Sequence, residues 1–209
     1  MSSFNKAIFI KMLNQAEANI EDEHENLSRL DSITGDGDHG VTIQRTMKAV
    51  GTALADNLDK SFADLMKAVA MKVMMCDGGS TSPLIGSYFL GLANAAAGDE
   101  MTREEAADFF QAGLDNFAKI SKAELGDKTM MDALRPATET LVKELKNNSD
   151  ISVAFAAAAD AAAEGAEKAK EYVAKFGRAR TMGERAIGQY DPGAMSISYI
   201  FRGFAEAVK

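Results

Sequence analysis

The sequence lacks most features of an extracellular, membrane or β-rich protein. Its 209 residues contain one cysteine, Cys76, so no internal disulfide can form, which favours the reducing cytoplasm. It has no run of eighteen apolar residues, and its first residues have neither the charged segment nor the apolar segment of a signal peptide. Runs of alternating β-branched residues are also missing. We therefore expect a soluble, cytoplasmic protein with almost no β-strand.

Basic residues are in the minority. The chain has 23 Lys and Arg against 31 Asp and Glu, a formal charge of −8. This balance opposes binding to the phosphate backbone of nucleic acid or to an anionic membrane surface, so we expect neither as a partner. The apolar fraction of 46% is enough for one substantial domain, spanning 1–209, with its own core.

Apolar residues recur at helical spacing in eight segments of the chain. The predicted helices run from Phe4 to Leu30, from after Gly40 to Leu58, from Phe62 to Val73, from a Ser82 cap and Pro83 to about Ala97, from a Thr102 capping box through Phe117, from Met130 through Leu145 with Pro136 as a kink or late start, from Ile151 to Phe176, and from an Asp191 cap through Phe204. Short connections predict an all-α, antiparallel, up-and-down barrel or bundle. Because helix direction alternates, the turns after the first, third, fifth and seventh helices should meet at one end.

The first of these turns is the densest in chemistry. The decapeptide from Asp31 to Gly40 contains three aspartates, three glycines and one of the two histidines. Spacings of five and two residues keep the aspartates off a common helix face, whereas a turn can bring them together. Converging carboxylates repel each other by about 4 kcal/mol per close pair at a moderate effective dielectric, unless a cation lies between them. The decapeptide therefore predicts an oxygen-rich site for Mg²⁺ or Ca²⁺.

The other turns at this end contain helix starts. Gly78-Gly79-Ser80-Thr81 and Asp191-Pro192-Gly193-Ala194 are typical of ordinary helix capping, and beside a metal they also suit a phosphate. Arg178 or Arg185 would neutralise the remaining phosphate charge. His39 is open as a general base, a phosphate ligand, a phosphohistidine or a helix cap.

Three common motifs are excluded by the residues themselves. Gly35-x-Gly37-x-x-Gly40 has the spacing of a dinucleotide fingerprint, but it follows a helix and its aspartates would repel a pyrophosphate. An EF-hand beginning at Asp36 would require a glycine in place of Val41 and a glutamate in place of Met47. The sequence also contains no P-loop, so a nucleotide must be held by other means.

Four motifs, in order along almost the entire chain, resemble the nucleotide-binding L subunit of dihydroxyacetone kinase. They are Asp31-x-x-x-x-Asp36-Gly37-Asp38-His39-Gly40, Gly78-Gly79-Ser80-Thr81-Ser82-Pro83-Leu84, Gly126-Asp127-Lys128-Thr129-Met130-x-Asp132-Ala133-Leu134, and Gly177-Arg178-Ala179 through Gly183-Glu184-Arg185 to Asp191-Pro192-Gly193-Ala194. The resemblance implies an eight-helix antiparallel barrel with ADP or ATP at one end. Many family members have an Arg-Gly-Lys-Ala run where this chain reads Lys119 to Ala123, with Ser121 in place of the glycine.

The resemblance also implies roles for individual residues. Two Mg²⁺ ions are expected on Asp31, Asp36 and Asp38. The implied nucleotide contacts are His39, Gly40, Thr42, Ser80 and Thr81 to phosphate or ribose, Met130 to adenine, and Arg178, Asp191 and Gly193 around the closed site. His39 and Arg178 would position the phosphoryl group, and no residue is assigned as a certain catalytic group.

In this family a separate K subunit holds dihydroxyacetone, and the two subunits dock to transfer phosphate. Two donors stay open: ADP kept as a bound coenzyme and rephosphorylated by a phosphotransferase-system M subunit, or ATP as an exchangeable substrate, with dihydroxyacetone or a related keto-sugar as acceptor. A non-catalytic nucleotide-sensing module and a metal-dependent phosphohydrolase are the alternatives from other classes. A homodimer is also left open.

Overall fold

The computed structural model describes residues 3–209, and eight α-helices account for most of them. The helices are α1 (Lys6–Thr34), α2 (His39–Asp56), α3 (Phe62–Met74), α4 (Thr81–Ala95), α5 (Arg103–Ser121), α6 (Met131–Lys146), α7 (Ile151–Lys168) and α8 (Pro192–Glu206). Each helix packs against the next, and α1 packs against α8, which closes the ring. The predicted all-α, antiparallel, up-and-down barrel is therefore confirmed.

The remaining secondary structure is short. Two strands of two residues, β1 (Phe4–Asn5) and β2 (Glu100–Met101), pair antiparallel, and 3₁₀ turns span Ala169–Glu171 and Arg178–Ala186. The Asn5 side chain accepts a hydrogen bond from the Ile8 N–H at 2.9 Å, so α1 begins two residues later than predicted. Within residues 3–209, no helix combines the length and the low charge needed to cross a lipid bilayer.

Several helix boundaries at the end of the barrel that holds the three aspartates differ from the prediction. Helix α1 continues to Thr34, so Asp31 lies in its last turn rather than in the loop that follows. Helix α2 begins at His39 rather than after Gly40. Helix α4 begins at Thr81, after Ser80, and not at Pro83 after a Ser82 cap. The N–H groups of Thr81 and Ser82 donate to the Gly78 carbonyl at 3.1 and 3.3 Å, and these bonds start the helix early.

The alanine-rich seventh helix ends at Lys168, well before the predicted end at Phe176. The carbonyl of Ala169 accepts a hydrogen bond from the Lys128 ammonium at 2.6 Å, and the chain tightens into a 3₁₀ turn there. Alanine favours helix locally, but the Tyr172 N–H bonds the Ala169 carbonyl, three residues back, at 3.3 Å, and Tyr172 itself is extended, which ends the helical path. Composition alone therefore overestimates α7.

Phenylalanine rings fill the end of the barrel opposite the aspartates. The rings come from β1, from the N-terminal halves of α1, α3, α5 and α7, and from the end of α8. They belong to Phe4, Phe9, Phe62, Phe109, Phe110, Phe155 and Phe204, all at most 3% exposed. Phe109 and Phe110 meet edge to face with ring centroids 5.2 Å apart, and Phe4 and Phe110 with centroids 5.5 Å apart. This end is a closed aromatic core.

Helices α1 and α2 approach closely where α2 begins. A Cβ atom on Gly40 would overlap the His24 carbonyl oxygen and would lie 2.8 Å from the Ser28 backbone nitrogen. We expect Gly40→Ala to lower the free energy of unfolding by about 2 kcal/mol or more, because the two helices must separate. Urea unfolding measures this loss.

The control for Gly40→Ala is Gly98→Ala. Gly98 lies in an exposed turn where the nearest atom to an added Cβ is 3.5 Å away. The control should change the free energy of unfolding by less than about 0.5 kcal/mol. Equal losses in the two variants would contradict the close α1 and α2 contact.

Candidate functional site

The connections α1 to α2, α3 to α4, α5 to α6 and α7 to α8 all lie at one end of the barrel, which we call the mouth. The Arg178 guanidinium in the last connection forms an ion pair with the Asp36 carboxylate in the first. Met130, just before α6, packs under Gly193, where a Cβ atom would lie 2.9 Å from the Met130 Cγ. The α3 to α4 connection leads into the first turn of α4, where the Ser82 hydroxyl lies 3.3 Å from the Thr46 hydroxyl on α2. The predicted meeting of the four turns is thus observed.

The three aspartates converge at the mouth. Asp31, Asp36 and Asp38 each offer one carboxylate oxygen, and these oxygens lie within 4.8 Å of one another. Gly35 has no room for a side chain because a Cβ atom would overlap the Asp31 carboxylate, and Gly37 adopts a φ of +80°. The glycines therefore allow the chain to leave α1 and bring the second and third carboxylates back beside the first.

This carboxylate cluster fits a hard divalent cation. Its donors are all oxygens, which suits Mg²⁺ or Ca²⁺. Burial raises the pKa of Asp38, the neighbouring carboxylates of Asp36 and Asp31 raise it further, and Arg178 opposes the rise. Negative charge is therefore crowded at this point, and a bound cation would relieve the repulsion.

His39 is tied to both sides of the mouth. Its backbone N–H donates to an Asp31 carboxylate oxygen at 3.2 Å, and its Nε2 lies 3.2 Å from the Ser196 hydroxyl on α8. The Ser196 hydroxyl donates to the Gly193 carbonyl at 2.8 Å, so Nε2 is the donor to Ser196. Burial lowers the pKa of His39 to about 4, although Asp31 opposes this shift. The imidazole is therefore neutral near pH 7.

The start of α4 offers fewer free N–H groups than expected. Those of Thr81 and Ser82 already bond the Gly78 carbonyl, and Pro83 has none. The exposed Ser80 and the buried Thr81 contribute their hydroxyls to this side of the mouth. On α2, the Thr42 hydroxyl donates to the His39 carbonyl at 2.9 Å and keeps its oxygen as an acceptor.

The start of α8 completes the mouth. The Asp191 carboxylate caps the helix by accepting a hydrogen bond from the Ala194 N–H at 2.7 Å. Of the two arginines considered from sequence, only Arg178 reaches the aspartates. The Nε–H of Arg185 donates to the Met182 carbonyl at 3.3 Å, within its own segment.

Asp191 provides a test of pH dependence. Burial raises its pKa from an ordinary 3.8 to about 7, while the bond from Ala194 and the charge of Lys128 oppose the rise. Between these values the folded protein holds more protons than the unfolded chain, so this group's contribution to stability falls as pH rises. Asp191→Asn keeps a helix cap without the titration. We expect its stability advantage over the parent protein to grow from about pH 4 to pH 7, as measured by urea unfolding without metal or nucleotide.

The matched control for this variant is Asp150→Asn. Asp150 is the N-cap of α7, and its side chain is 64% exposed. The pH profile of this control should run parallel to that of the parent. A parallel profile for Asp191→Asn as well would contradict the raised pKa.

Sequence reasoning missed three residues of the site region. They are Ser196, which binds His39, Thr46, which joins α2 to α4, and Lys128, whose buried ammonium binds two backbone carbonyls. Lys128 stands in a recognised motif, but no role followed from its position. Ser121 is the last residue of α5, and the left-handed conformation falls on Lys122, so the helix end does not require a glycine at Ser121.

A model of the family described as "DAK2 domain" matches residues 33–206. The chain belongs to the DAK2 domain family. This DAK2 domain is 36% identical to the PEP-dependent dihydroxyacetone kinase, ADP-binding subunit DhaL, of Escherichia coli K12, over 90% of each chain. It is also 36% identical to the ADP-binding subunit DhaL of PEP-dependent dihydroxyacetone kinase 2 of Listeria innocua, over 98% of this chain and 96% of the relative. The resemblance to the L subunit, a component of a phosphotransferase, is confirmed.

Solved structures agree with the fold. The native dihydroxyacetone kinase of C. freundii matches with a TM-score of 0.73 at 25% identity, over 99% of this DAK2 domain and 35% of that chain. The same enzyme in complex with AMP-PNP and Mg²⁺ matches with a TM-score of 0.72 at 25% identity, over 98% of this chain and 34% of that chain. This DAK2 domain therefore corresponds to about one third of that longer kinase chain.

Proposed function

We propose that this protein is the nucleotide-binding subunit of a dihydroxyacetone kinase. It binds ADP or ATP with two Mg²⁺ ions at the mouth, and the γ-phosphoryl group of the bound ATP passes to a hydroxyl of dihydroxyacetone held on a separate K subunit, which leaves ADP. The observation that carries this proposal is the convergence of Asp31, Asp36 and Asp38 to within 4.8 Å, with Arg178 paired to one of them. Carboxylates that can hold Mg²⁺, with an arginine beside them, suit a metal-bound polyphosphate.

The residues of this chain would act by positioning and by charge. Mg²⁺, when bound, supplies neutralisation of the phosphate oxygens. Arg178, whose side chain is 65% exposed, adds a further positive charge beside the aspartates. His39 is neutral and donates its one ring N–H to Ser196, so it would orient a phosphate only by redirecting that N–H, and it holds little proton-transfer capacity at pH 7. Phosphoryl transfer needs little else from a protein than such placement.

The nucleotide base would lie on the other side of the mouth. Met130 is 7% exposed and packs under Gly193, and these residues form an apolar floor next to the start of α8. We assign adenine to this floor, ribose and phosphate to Ser80, Thr81, Gly40 and Thr42, and closure of the site to Arg178, Asp191 and Gly193. These assignments rest on the family resemblance and on the shared location of the residues.

Exposed apolar side chains around the mouth support docking to a K subunit. Most of the large hydrophobic residues that the described chain exposes belong to the four mouth connections or to adjacent helix turns. They include Ile33, Val41, Met75, Leu125, Phe176 and Ile187, with Met75 80% exposed. Apolar groups around a polar centre are typical of a surface that a protein partner covers. An acceptor bound on that partner would then face the phosphoryl group.

For the donor we favour ADP as a bound coenzyme. The relatives that match over nearly their whole length are named PEP-dependent and ADP-binding, and one from Lactococcus lactis is named PTS-dependent. By analogy, a phosphotransferase-system M subunit would rephosphorylate the ADP. ATP as a free substrate is the second candidate, because the C. freundii kinase, about a third of whose chain this domain matches, was solved in complex with AMP-PNP and Mg²⁺. A related keto-sugar as acceptor is supported by L-erythrulose 1-kinase of Mycolicibacterium smegmatis, which is 31% identical over 88% of this chain, although only 33% of that enzyme is covered.

The test combines native mass spectrometry with reconstitution. Native mass spectrometry of the purified protein first measures retained ADP and Mg²⁺, and the exchange of bound nucleotide is then measured after labelled ATP is added. It is next mixed with K subunit and dihydroxyacetone, and ³¹P NMR follows the triose phosphate with either ATP or a phosphorylated M subunit as donor. Retained, slowly exchanging ADP and transfer only from the M subunit support the coenzyme form.

Other outcomes separate the alternatives. An empty site that turns over added ATP with the K subunit indicates the ATP-dependent form. Tight nucleotide binding without any transfer would indicate a sensing module. Release of inorganic phosphate without a partner would indicate a phosphohydrolase, and either of these last two results would overturn the proposed function.

A further inference from the structure

Lys128 is a buried lysine in the connection before α6. It is 2% exposed, and its ammonium donates hydrogen bonds to the carbonyls of Ala169 and Gln189, both at 2.6 Å. These carbonyls lie at the two ends of residues 169–191, which we call the α7–α8 connection. A backbone bond from the Gly188 N–H to the Lys170 carbonyl at 2.8 Å joins the same two ends. One ammonium thus links both ends of the α7–α8 connection.

Holding Lys128 in this place is costly. Removing an ammonium from water costs several kcal/mol unless charges and hydrogen bonds compensate. Burial lowers its pKa, while the nearby carboxylates of Asp191 and Asp132 oppose that shift and keep the charge favourable. The backbone of Lys128 also has a φ of +59°, a conformation that residues other than glycine rarely adopt. Such costs persist where the surroundings require the residue, often at functional sites.

The location of Lys128 connects these costs to the nucleotide site. Two residues further along the chain, Met130 packs under Gly193. The Gln189 carbonyl lies two residues before Asp191, which caps α8. Arg178 lies in the α7–α8 connection between these two carbonyls, and it forms its ion pair with Asp36 there. The ammonium therefore holds the start of α8 and the two ends of the α7–α8 connection, which contains Arg178, in place relative to Met130.

We propose that Lys128 is a positioning residue of the nucleotide site, an inference that rests on the proposed function. It touches neither metal nor nucleotide. Its role is to hold both ends of the α7–α8 connection together, so that Arg178 and the Asp191 to Gly193 start of α8 face the ligand in one fixed arrangement. Loss of the ammonium should loosen that arrangement and weaken nucleotide binding without changing the aspartate cluster.

The test compares Lys128→Met with Lys175→Met. Methionine keeps a flexible apolar side chain but removes the ammonium. Lys175 is the matched control, because its ammonium pairs with Asp127 at 2.6 Å in the same region but is 66% exposed. Three quantities are measured well below the melting temperature of each variant: the affinity for ADP with Mg²⁺, the affinity for Mn²⁺ alone, and hydrogen exchange across residues 169–191.

We expect Lys128→Met to bind ADP with Mg²⁺ about tenfold more weakly and to exchange faster in residues 169–191. Mn²⁺ binding in the absence of nucleotide should be unchanged. Lys175→Met should stay within about twofold of the parent protein on all three measures. A Lys128→Met variant that only melts at a lower temperature, with unchanged ADP affinity, would overturn the proposal.

Lys128→Arg keeps the test decisive if the methionine variant does not fold. Arginine retains charge and donors but shifts their geometry. In either variant, the proposal requires faster exchange at the clamped ends to accompany weaker ADP binding, and faster exchange with unchanged affinity refutes it. Failure of the parent protein to bind ADP with Mg²⁺ would instead refute the proposed function, which separates the two results.

Discussion

The double variant Asp36→Asn/Asp38→Asn should lose Mg²⁺-dependent retention of ADP while keeping its helix content. Neutral amides are poor Mg²⁺ ligands, so we expect the affinity for ADP with Mg²⁺ to fall by about a hundredfold or more. Both residues are exposed in the loop between α1 and α2, and neither belongs to the apolar core. Isothermal titration with circular dichroism on the same samples measures both expectations.

The control for this variant removes two carboxylates from the preceding helix α1. Asp22 and Glu25 are exposed on α1, so Asp22→Asn/Glu25→Gln changes the net charge equally without touching the mouth. Its ADP affinity should match that of the parent. Without metal, the Asp36→Asn/Asp38→Asn variant should unfold no more easily than the parent, because it also removes mutual repulsion. Full retention of ADP would show that the metal site was wrongly assigned.

Arg178→Met should have the largest effect on the transfer step itself. An arginine that neutralises charge developing on a transferred phosphoryl group is worth about a thousandfold or more in rate. We expect a loss of this size in triose phosphate formation with the K subunit present, and a loss of only about tenfold in ADP affinity. The difference arises because Arg178 would act mainly in the transition state.

Arg180→Met is the comparison for Arg178→Met. Arg180 is exposed in the same 3₁₀ segment, so it tests whether any cation near the mouth would serve. We expect this variant to keep its transfer rate within about threefold of the parent, as for other surface charges. Equal losses in the two variants would assign the effect to general electrostatics and not to the guanidinium that pairs with Asp36.

The sequence was sufficient to predict the architecture because the main signals are local. Apolar periodicity identified eight helices, and the alternation of helix direction then predicted which turns share the mouth. The aspartate cluster was also predictable, since its glycines and carboxylates lie within ten residues. The roles of the nucleotide-binding residues stay predictions until ligand binding is measured.

The features that sequence reasoning missed depend on contacts between distant segments. Lysine usually lies at the protein surface, so the sequence alone does not predict that Lys128 is buried. Its burial is explained by the Ala169 and Gln189 carbonyls, which accept hydrogen bonds from its ammonium. Ser196 follows the same rule, because its partner His39 is 157 residues away. The end of α7 was also misplaced, because helix propensity favoured continuation whereas the chain forms a 3₁₀ turn at Ala169–Glu171 and becomes extended at Tyr172.

The cluster of phenylalanines lies at the end of the barrel opposite the aspartates, so this part of the core is remote from the candidate site. It lies about one helix length from the aspartates, roughly 27 Å for the 18 residues of α2. The far end keeps the eight helices aligned by burying aromatic rings, whereas the mouth is held by a few polar contacts and glycine turns. Local opening at the mouth therefore leaves the aromatic core intact. A nucleotide bound at the mouth, as proposed, would then leave or enter without exposing the aromatic core.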